Sequence, residues 1–148
     1  MSRISKRISI QSKDKGDLLV LLEEAQSKFG CLSQEVMSEL AESVGISLSE
    51  VYGAATFYTF LSTKTQGRNV IRICKSLPCF LKNSELIIES VGREIGIRPG
   101  ETTPDGKFTF QLTNCIGACD KAPAMLINNE VHGDLTSEKI SAILKACE

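Results

Sequence analysis

A chain of 148 residues, 42% hydrophobic and 24% charged with a formal net charge of -1, has the composition of one ordinary globular domain or of one domain with a small appendage. Its Lys and Arg are spread along the chain and its aromatic content is only 5%, which excludes the basic stripe and base-stacking rings of a nucleic-acid binder. No apolar run approaches the roughly 18 residues of a membrane span, and the basic start at residues 1–7 runs into Ile8-Ser9-Ile10-Gln11-Ser12-Lys13-Asp14 where a signal peptide needs unbroken apolar residues, so a cytoplasmic protein with a solvated basic tail is expected.

The first predicted helix carries Leu18, Leu19, Leu21, Leu22, Ala25 and Phe29 on one face. A second carries Leu32, Val36, Met37, Leu40 and Val44 and is closed by Gly45. The acidic residues Glu35, Glu39 and Glu42 read as its wet side. A third starts at a capping box, Ser47-Leu48-Ser49-Glu50, and is expected to run through Tyr58 or Phe60. The polar stretch Ser62-Thr63-Lys64-Thr65-Gln66-Gly67-Arg68-Asn69 marks a boundary, giving an N-terminal helical region over 1–66, a small bundle, and a second domain over 67–148. Downstream the order is strand (Val70 to Cys74), helix (about Lys82 to Ile95), strand (Phe108 to Thr113), strand (Ala124 to Asn128) and helix (about Ser137 to Ala146). Turns are expected at Arg98-Pro99-Gly100, Pro104-Asp105-Gly106 and Asn128-Asn129-Glu130. This is an α/β pattern, simplest as a βαββα unit with a helix-covered mixed sheet.

Four of the six cysteines form two short pairs, Cys74/Cys79 as C-x4-C and Cys115/Cys119 as C-x3-C, each just after an apolar run. Two strands would deliver these sulfurs to one place, and four thiolates around one centre suit iron-sulfur or zinc. In a reducing cytosol six cysteines favour metal ligation over a disulfide framework. Neither pair is the C-x-x-C of a thioredoxin-like dithiol, and Rieske ligation needs two histidines where the chain has one, His132, expected in a solvent-facing turn. Neither ferredoxin spacing of the bacterial or plant type is present. Spacing therefore leaves iron-sulfur and a zinc-stabilised interaction module without redox activity open, with a thiol-dependent oxidoreductase behind them. The second loop, Cys115-Ile116-Gly117-Ala118-Cys119, has small residues that let backbone N–H groups approach sulfur. Cys31 and Cys147 stand alone and read as free thiols. No glycine-rich dinucleotide or phosphate loop and no Ser-His-Asp set occurs, so the chain is not expected to be catalytic alone.

Four segments resemble the thioredoxin-like 2Fe-2S subunit family of NADH dehydrogenases: Leu48 through Tyr58, Val70-Ile71-Arg72-Ile73-Cys74, Glu101 through Phe108, and Asn114-Cys115-Ile116-Gly117-Ala118-Cys119-Asp120-Lys121-Ala122-Pro123. The same family supplies subunits to NAD-dependent and electron-bifurcating hydrogenases and to formate dehydrogenases. The resemblance implies a thioredoxin-like ferredoxin domain after the helical region, with Cys74, Cys79, Cys115 and Cys119 as ligands of one 2Fe-2S cluster. It implies an electron-transfer subunit that exchanges electrons with the flavin of an NADH-binding iron-sulfur partner, FMN and NADH lying on that partner. Further subunits, such as a hydrogenase or quinone-reducing module, would complete the complex. The Tyr52-Gly53 segment would dock the flavoprotein, although Val51, Phe57 and Phe60 serve equally as this chain's own core. The chain departs from the family pattern at Lys75-Ser76-Leu77-Pro78, at Asn114, where an acidic residue is frequent, and at His132, where tyrosine is frequent. No ligand is lost by these departures.

Overall fold

A computed structural model of the chain describes residues 17–147. The basic segment expected as a solvated tail lies outside them. The chain divides into two compact units, Met1–Thr65 and Gln66–Glu148.

Among the described residues the first unit has three helices, α1 (Leu18–Phe29), α2 (Gln34–Val44) and α3 (Leu48–Phe57). Their apolar stripes meet in a core of Leu22, Ala25, Leu32, Leu40, Val51 and Ala55, each 0–1% exposed. Burying each larger side chain contributes about 1.5–3 kcal/mol, which offsets the weak propensity of helices this short. The termini follow from the caps. Ser33 Oγ accepts the Val36 N–H at 3.3 Å, and Gly45 ends α2 in the left-handed region at φ 73°, a conformation costly for residues with a Cβ. The capping box of α3 is complete, Ser47 Oγ accepting the Glu50 N–H at 3.2 Å and Glu50 Oε2 accepting the Ser47 N–H at 2.9 Å. Gln26 then fastens the chain after α3 to α1, its Nε2 donating to Phe60 O at 2.7 Å and its Oε1 accepting Ser62 N–H at 2.6 Å.

Three expectations are corrected in this unit. Helix α3 stops at Phe57 because Tyr58 is extended, φ -92° and ψ 119°. Val51 fills the core at 0% exposure, whereas Phe57 and Phe60 stand 78% and 47% exposed. Glu39 is half-buried on α2, unlike the exposed Glu35 and Glu42.

The second unit is the expected mixed α/β layer with more elements than the sequence announces: β1 (Asn69–Cys74), α4 (Leu77–Leu81), α5 (Ser84–Ile95), β2 (Phe108–Thr113), β3 (Met125–Ile127), β4 (Glu130–His132) and α6 (Ser137–Ala146). The sheet order is β2-β1-β3-β4. β1 pairs parallel with β2, from Asn69 opposite Phe108 to Cys74 opposite Thr113, and antiparallel with β3. Alternation sends Ile71, Ile73, Phe110, Met125 and Ile127 to one face, where α5 supplies Ile87 and Val91 and α6 supplies Ile140 and Leu144. Ser141 Oγ donates to Glu94 Oε1 at 2.8 Å between the two helices. Val70, Arg72, Cys74, Thr109 and Thr113 take the other face and are also buried. The outer edge of β2 is covered by the loop before it: Gly100 N–H donates to Phe110 O at 2.6 Å and Phe110 N–H to Glu101 O at 2.9 Å.

The helix expected from about Lys82 to Ile95 is α5, which starts at Ser84 after Asn83 in the left-handed region at φ 61°, and the short α4 before it is an element the sequence did not announce. His132 ends a fourth strand opposite Met125, and its side chain is only 19% exposed, so it is not the solvent-facing turn residue expected.

Candidate metal centre

All four paired cysteines come to the end of the sheet where β1 and β2 finish together. Cys74 is the last residue of β1, 2% exposed, and its N–H donates to Ala124 O at 3.2 Å. Cys79 reaches the same place from α4. This five-residue helix forms because Ser76 takes the N-cap position, Pro78 stands in the first turn where its missing N–H is not needed, and Phe80 N–H closes onto Ser76 O at 3.0 Å. The helix turns Cys79 inward, 2% exposed, while Leu77, Phe80 and Leu81 point out at 67%, 51% and 70%. Cys74 and Cys79 pack with Ala124, and Ile116, Ala118 and Ala122 close around them.

The second pair is carried by the loop after β2. Gly117 adopts φ 83°, with open space where a Cβ would be, so it is the backbone conformation and not crowding that calls for glycine here. That turn aims the Gly117 N–H at Cys115 Sγ, 3.4 Å away. A 3-10 turn over Cys119–Lys121 follows, bringing Cys119 Sγ to 3.4 Å from Cys115 Sγ. A tetrahedral metal with bonds of about 2.3 Å to sulfur holds two thiolates about 3.8 Å apart. The Cys115/Cys119 spacing is close to that.

Electrostatics ties the pairs together. Burial, with a smaller contribution from the field of Cys74 and Cys119, pushes the Cys79 thiol up to about 11. Cys119 is raised by its hydrogen bond with Cys115 and further by the charges of Cys115, Cys74 and Asp120. Cys115 is lowered, first by the Gly117 N–H and then by Cys119. Cys79, Cys115 and Cys119 are each shifted by a neighbouring cysteine, and sulfurs gathered this closely have the donor chemistry of a thiolate metal centre. The sulfurs stand as two adjacent pairs, an arrangement that fits a binuclear cluster. Cys31 and Cys147 are half-buried free thiols. Burial raises Cys147, whose carbonyl accepts from Asn69 Nδ2 at 3.0 Å.

The second loop is braced from behind. A Cβ on Gly133 would collide with Lys121 Cβ and come within 2.9 Å of Lys121 O, the oxygen that accepts the Asp134 N–H at 2.7 Å. Gly133→Ala must push the Cys119–Lys121 turn outward, so a loss of about 1–3 kcal/mol in denaturant unfolding is expected. A midpoint unchanged from that of the parent chain would contradict this packing.

The profile of the thioredoxin-like 2Fe-2S ferredoxin family matches residues 3–148. The chain belongs to this family. Among relatives of this ferredoxin-like chain, a component of the NADH-quinone oxidoreductase of Rhizobium meliloti (strain 1021) is 38% identical over 122 residues, covering 82% of this chain and 73% of the relative. The HndA component of the NADP-reducing hydrogenase of Solidesulfovibrio fructosivorans is 33% identical over 129 residues, covering 87% of this chain and 75% of the relative. A crystal structure of NAD+-reducing NiFe-hydrogenase in the air-oxidized state superposes with a TM-score of 0.77 at 25% identity, over 88% of this chain. The chain spans only 22% of that hydrogenase chain. No helix among the described residues is long and apolar enough to cross a membrane.

Two features that shape the site were not foreseen from the sequence. One is α4, which delivers Cys79. The other is Ala124, 0% exposed, whose backbone bonds both Cys74 and Cys79 and draws the Cys79 thiol downward against burial. Its signal is faint: a small residue following a proline near the second cysteine pair.

Proposed function

We propose that Cys74, Cys79, Cys115 and Cys119 hold one 2Fe-2S cluster, Cys74/Cys79 on one side and Cys115/Cys119 on the other, and that the chain is the electron-transfer subunit of an NADH-linked oxidoreductase complex. The observation that carries this is the meeting of two sulfur pairs at the end of the β1/β2 ladder, in a chain of the 2Fe-2S family. When bound, such a cluster takes up and releases one electron at a time. The protein's part is placement and potential. Ala124 and the apolar residues around it dry the Cys74/Cys79 side. The Gly117 N–H is aimed at Cys115 Sγ, and Cys115 and Cys119 are exposed on the side open to a partner.

In this reading residues 67–148 form the cluster domain and 1–66 a helical docking region, acting in the cytoplasm. The exposed Tyr52, Phe57 and Phe60, at 52%, 78% and 47%, offer the apolar contact for a partner subunit. That partner holds FMN and binds NADH, and further subunits of hydrogenase or quinone-reducing type supply the final acceptor. The names of the relatives, components of an NADH-quinone oxidoreductase and of an NADP-reducing hydrogenase, support this assembly.

The test is anaerobic purification with whatever co-purifies, then iron, zinc and acid-labile sulfide analysis and EPR before and after dithionite. About two iron and two sulfide per chain and one S = 1/2 signal on reduction are expected. A colourless protein with about one zinc and no signal would transfer the chain to the zinc-module class.

A further inference from the structure

We propose that Cys115 and Cys119 are a reversible oxidation site: before the cluster is inserted they close to a disulfide, with a small-molecule disulfide as oxidant, and a dithiol must reopen the bond before metal can bind. The proposal rests on the assignment of these two cysteines as cluster ligands made above. Its basis is the different presentation of the two sulfur pairs. Cys115 and Cys119 are exposed, and their sulfurs stand 3.4 Å apart in an S–H···S contact. A disulfide bond is about 2.05 Å long, so the sulfurs need to approach by about 1.4 Å. The residues between them are irregular up to the 3-10 turn that begins at Cys119, and Gly117 turns the chain at φ 83°. Rotation of an exposed side chain about its Cα–Cβ bond supplies an approach of that size without moving the strands.

The other cysteines are placed differently. Cys74 and Cys79 are also neighbours, yet each is 2% exposed and enclosed with Ala124 by Ile116, Ala118 and Ala122. Thiol–disulfide exchange requires the attacking and attacked sulfurs to meet, so a reagent from solvent reaches the exposed pair and not the buried one. Cys31 and Cys147 are half-buried and belong to different units of the chain. In the reaction, one thiolate of the exposed pair attacks the small disulfide, forming a mixed disulfide and releasing one small thiol. The second cysteine attacks the mixed disulfide, and the protein S–S bond forms as the second small thiol leaves. Two cysteine thiols are oxidised, one small disulfide is reduced to two thiols, and the two cysteine protons end on them. A solvent-exposed disulfide of this kind is readily reduced, so in a reducing compartment the bond is transient and responds to oxidising conditions. With the bond closed two of the four proposed ligands are lost, and cluster insertion follows the thiol poise of the surroundings.

The test uses the full chain, freed of metal by anaerobic chelation under dithiothreitol and then separated from both reagents. Oxidised glutathione is added, and the remaining thiols are alkylated in denaturant for mass spectrometry of the whole chain and of its peptides. The expected result is a fall from six alkylated thiols to four, one intramolecular disulfide joining Cys115 to Cys119, and no iron or sulfide uptake until dithiothreitol is returned. A chain carrying Cys31→Ser and Cys147→Ser is expected to form the same bond. Six alkylated thiols, a lasting glutathione adduct in place of the bond, a disulfide mapped to Cys74 and Cys79, or a mixture of pairings overturns the site. An oxidised chain that takes up iron and sulfide without reduction overturns its control of cluster insertion and leaves the ligand assignment to be judged by that uptake. A fully reduced chain that assembles no 2Fe-2S cluster overturns the ligand assignment, and the role in cluster insertion with it, whatever the disulfide map shows.

Discussion

Cys79→Ala and Cys119→Ala are each expected to lose most of the iron and sulfide, from about two of each per chain to well below half, together with the reduced-state EPR signal. The reason lies in how each sulfur is presented. Cys79 is carried inward by α4 and is 2% exposed, so no other side chain can take its place. Cys119 has its sulfur 3.4 Å from Cys115 Sγ on a turn fixed by Gly117 and backed by Gly133. In the proposed arrangement, removing either would leave one metal position with a single protein sulfur. Because binding energy at such a site is also folding energy, the thermal midpoint of the variants falls with the iron content. Cys31→Ser and Cys147→Ser are the controls, and both are expected to retain full iron, sulfide and signal. Full iron, sulfide and signal in Cys119→Ala, or their loss in Cys31→Ser, would place the ligands elsewhere.

The contrast between those two groups of cysteines was legible in the sequence, because spacing and position after an apolar run are local properties. So were the long helices α1, α2 and α6, whose apolar periodicity survives over ten or more residues, and the capping box of α3. Short elements were not. The segment Leu77-Pro78-Cys79-Phe80-Leu81 is too brief for periodicity, and its proline reads as a loop signal until the preceding serine is known to occupy the N-cap position. β4 has one large apolar residue, Val131, itself 47% exposed, so the strand is defined by its pairing with β3 and not by its composition. His132 was misplaced for the same reason. The overshoot of α3 past Phe57 arose because Tyr58 and Phe60 continue an apolar pattern that solvent, and not the helix core, receives.

What sequence spacing cannot reveal is register. That Cys74 lies opposite Thr113, and Ile71 opposite both Phe110 and Ile127, follows from long-range pairing, and those pairings decide which groups surround the sulfurs. The four cysteines were therefore readable as a set that comes together, whereas their electrostatic surroundings were not. Within one pair Cys115 is lowered, first by the Gly117 N–H bonded to its sulfur, while Cys119 is raised, first by its hydrogen bond with Cys115.

Phe110→Ala should be the most damaging single change outside the cysteines, at about 3–5 kcal/mol in denaturant unfolding. Phe110 is 0% exposed at the centre of β2, opposite Ile71 on β1. Its ring lies beneath Gly92 of α5, where an added Cβ would stand 3.7 Å from Phe110 Cε1 and 3.2 Å from Ile97 O. Glycine inside a helix costs about 1 kcal/mol relative to alanine, and here that cost is offset by letting the helix approach the ring. Truncating the ring leaves a void bounded by backbone on both sides, from β2 below and from α5 above, so the surroundings are poorly placed to collapse into it. A domain of this size has only about 5–15 kcal/mol of net stability, so the loss removes a large share of it. The consequence reaches the metal centre, because Cys74 and the loop bearing Cys115 are held by the same two strands. Guanidinium unfolding of Phe110→Ala beside the parent chain, with iron content measured on the folded fraction, is the check. A loss below about 1 kcal/mol would mean that the β1/β2 ladder, and not the packing beneath α5, fixes the ends of the strands that carry the cysteines.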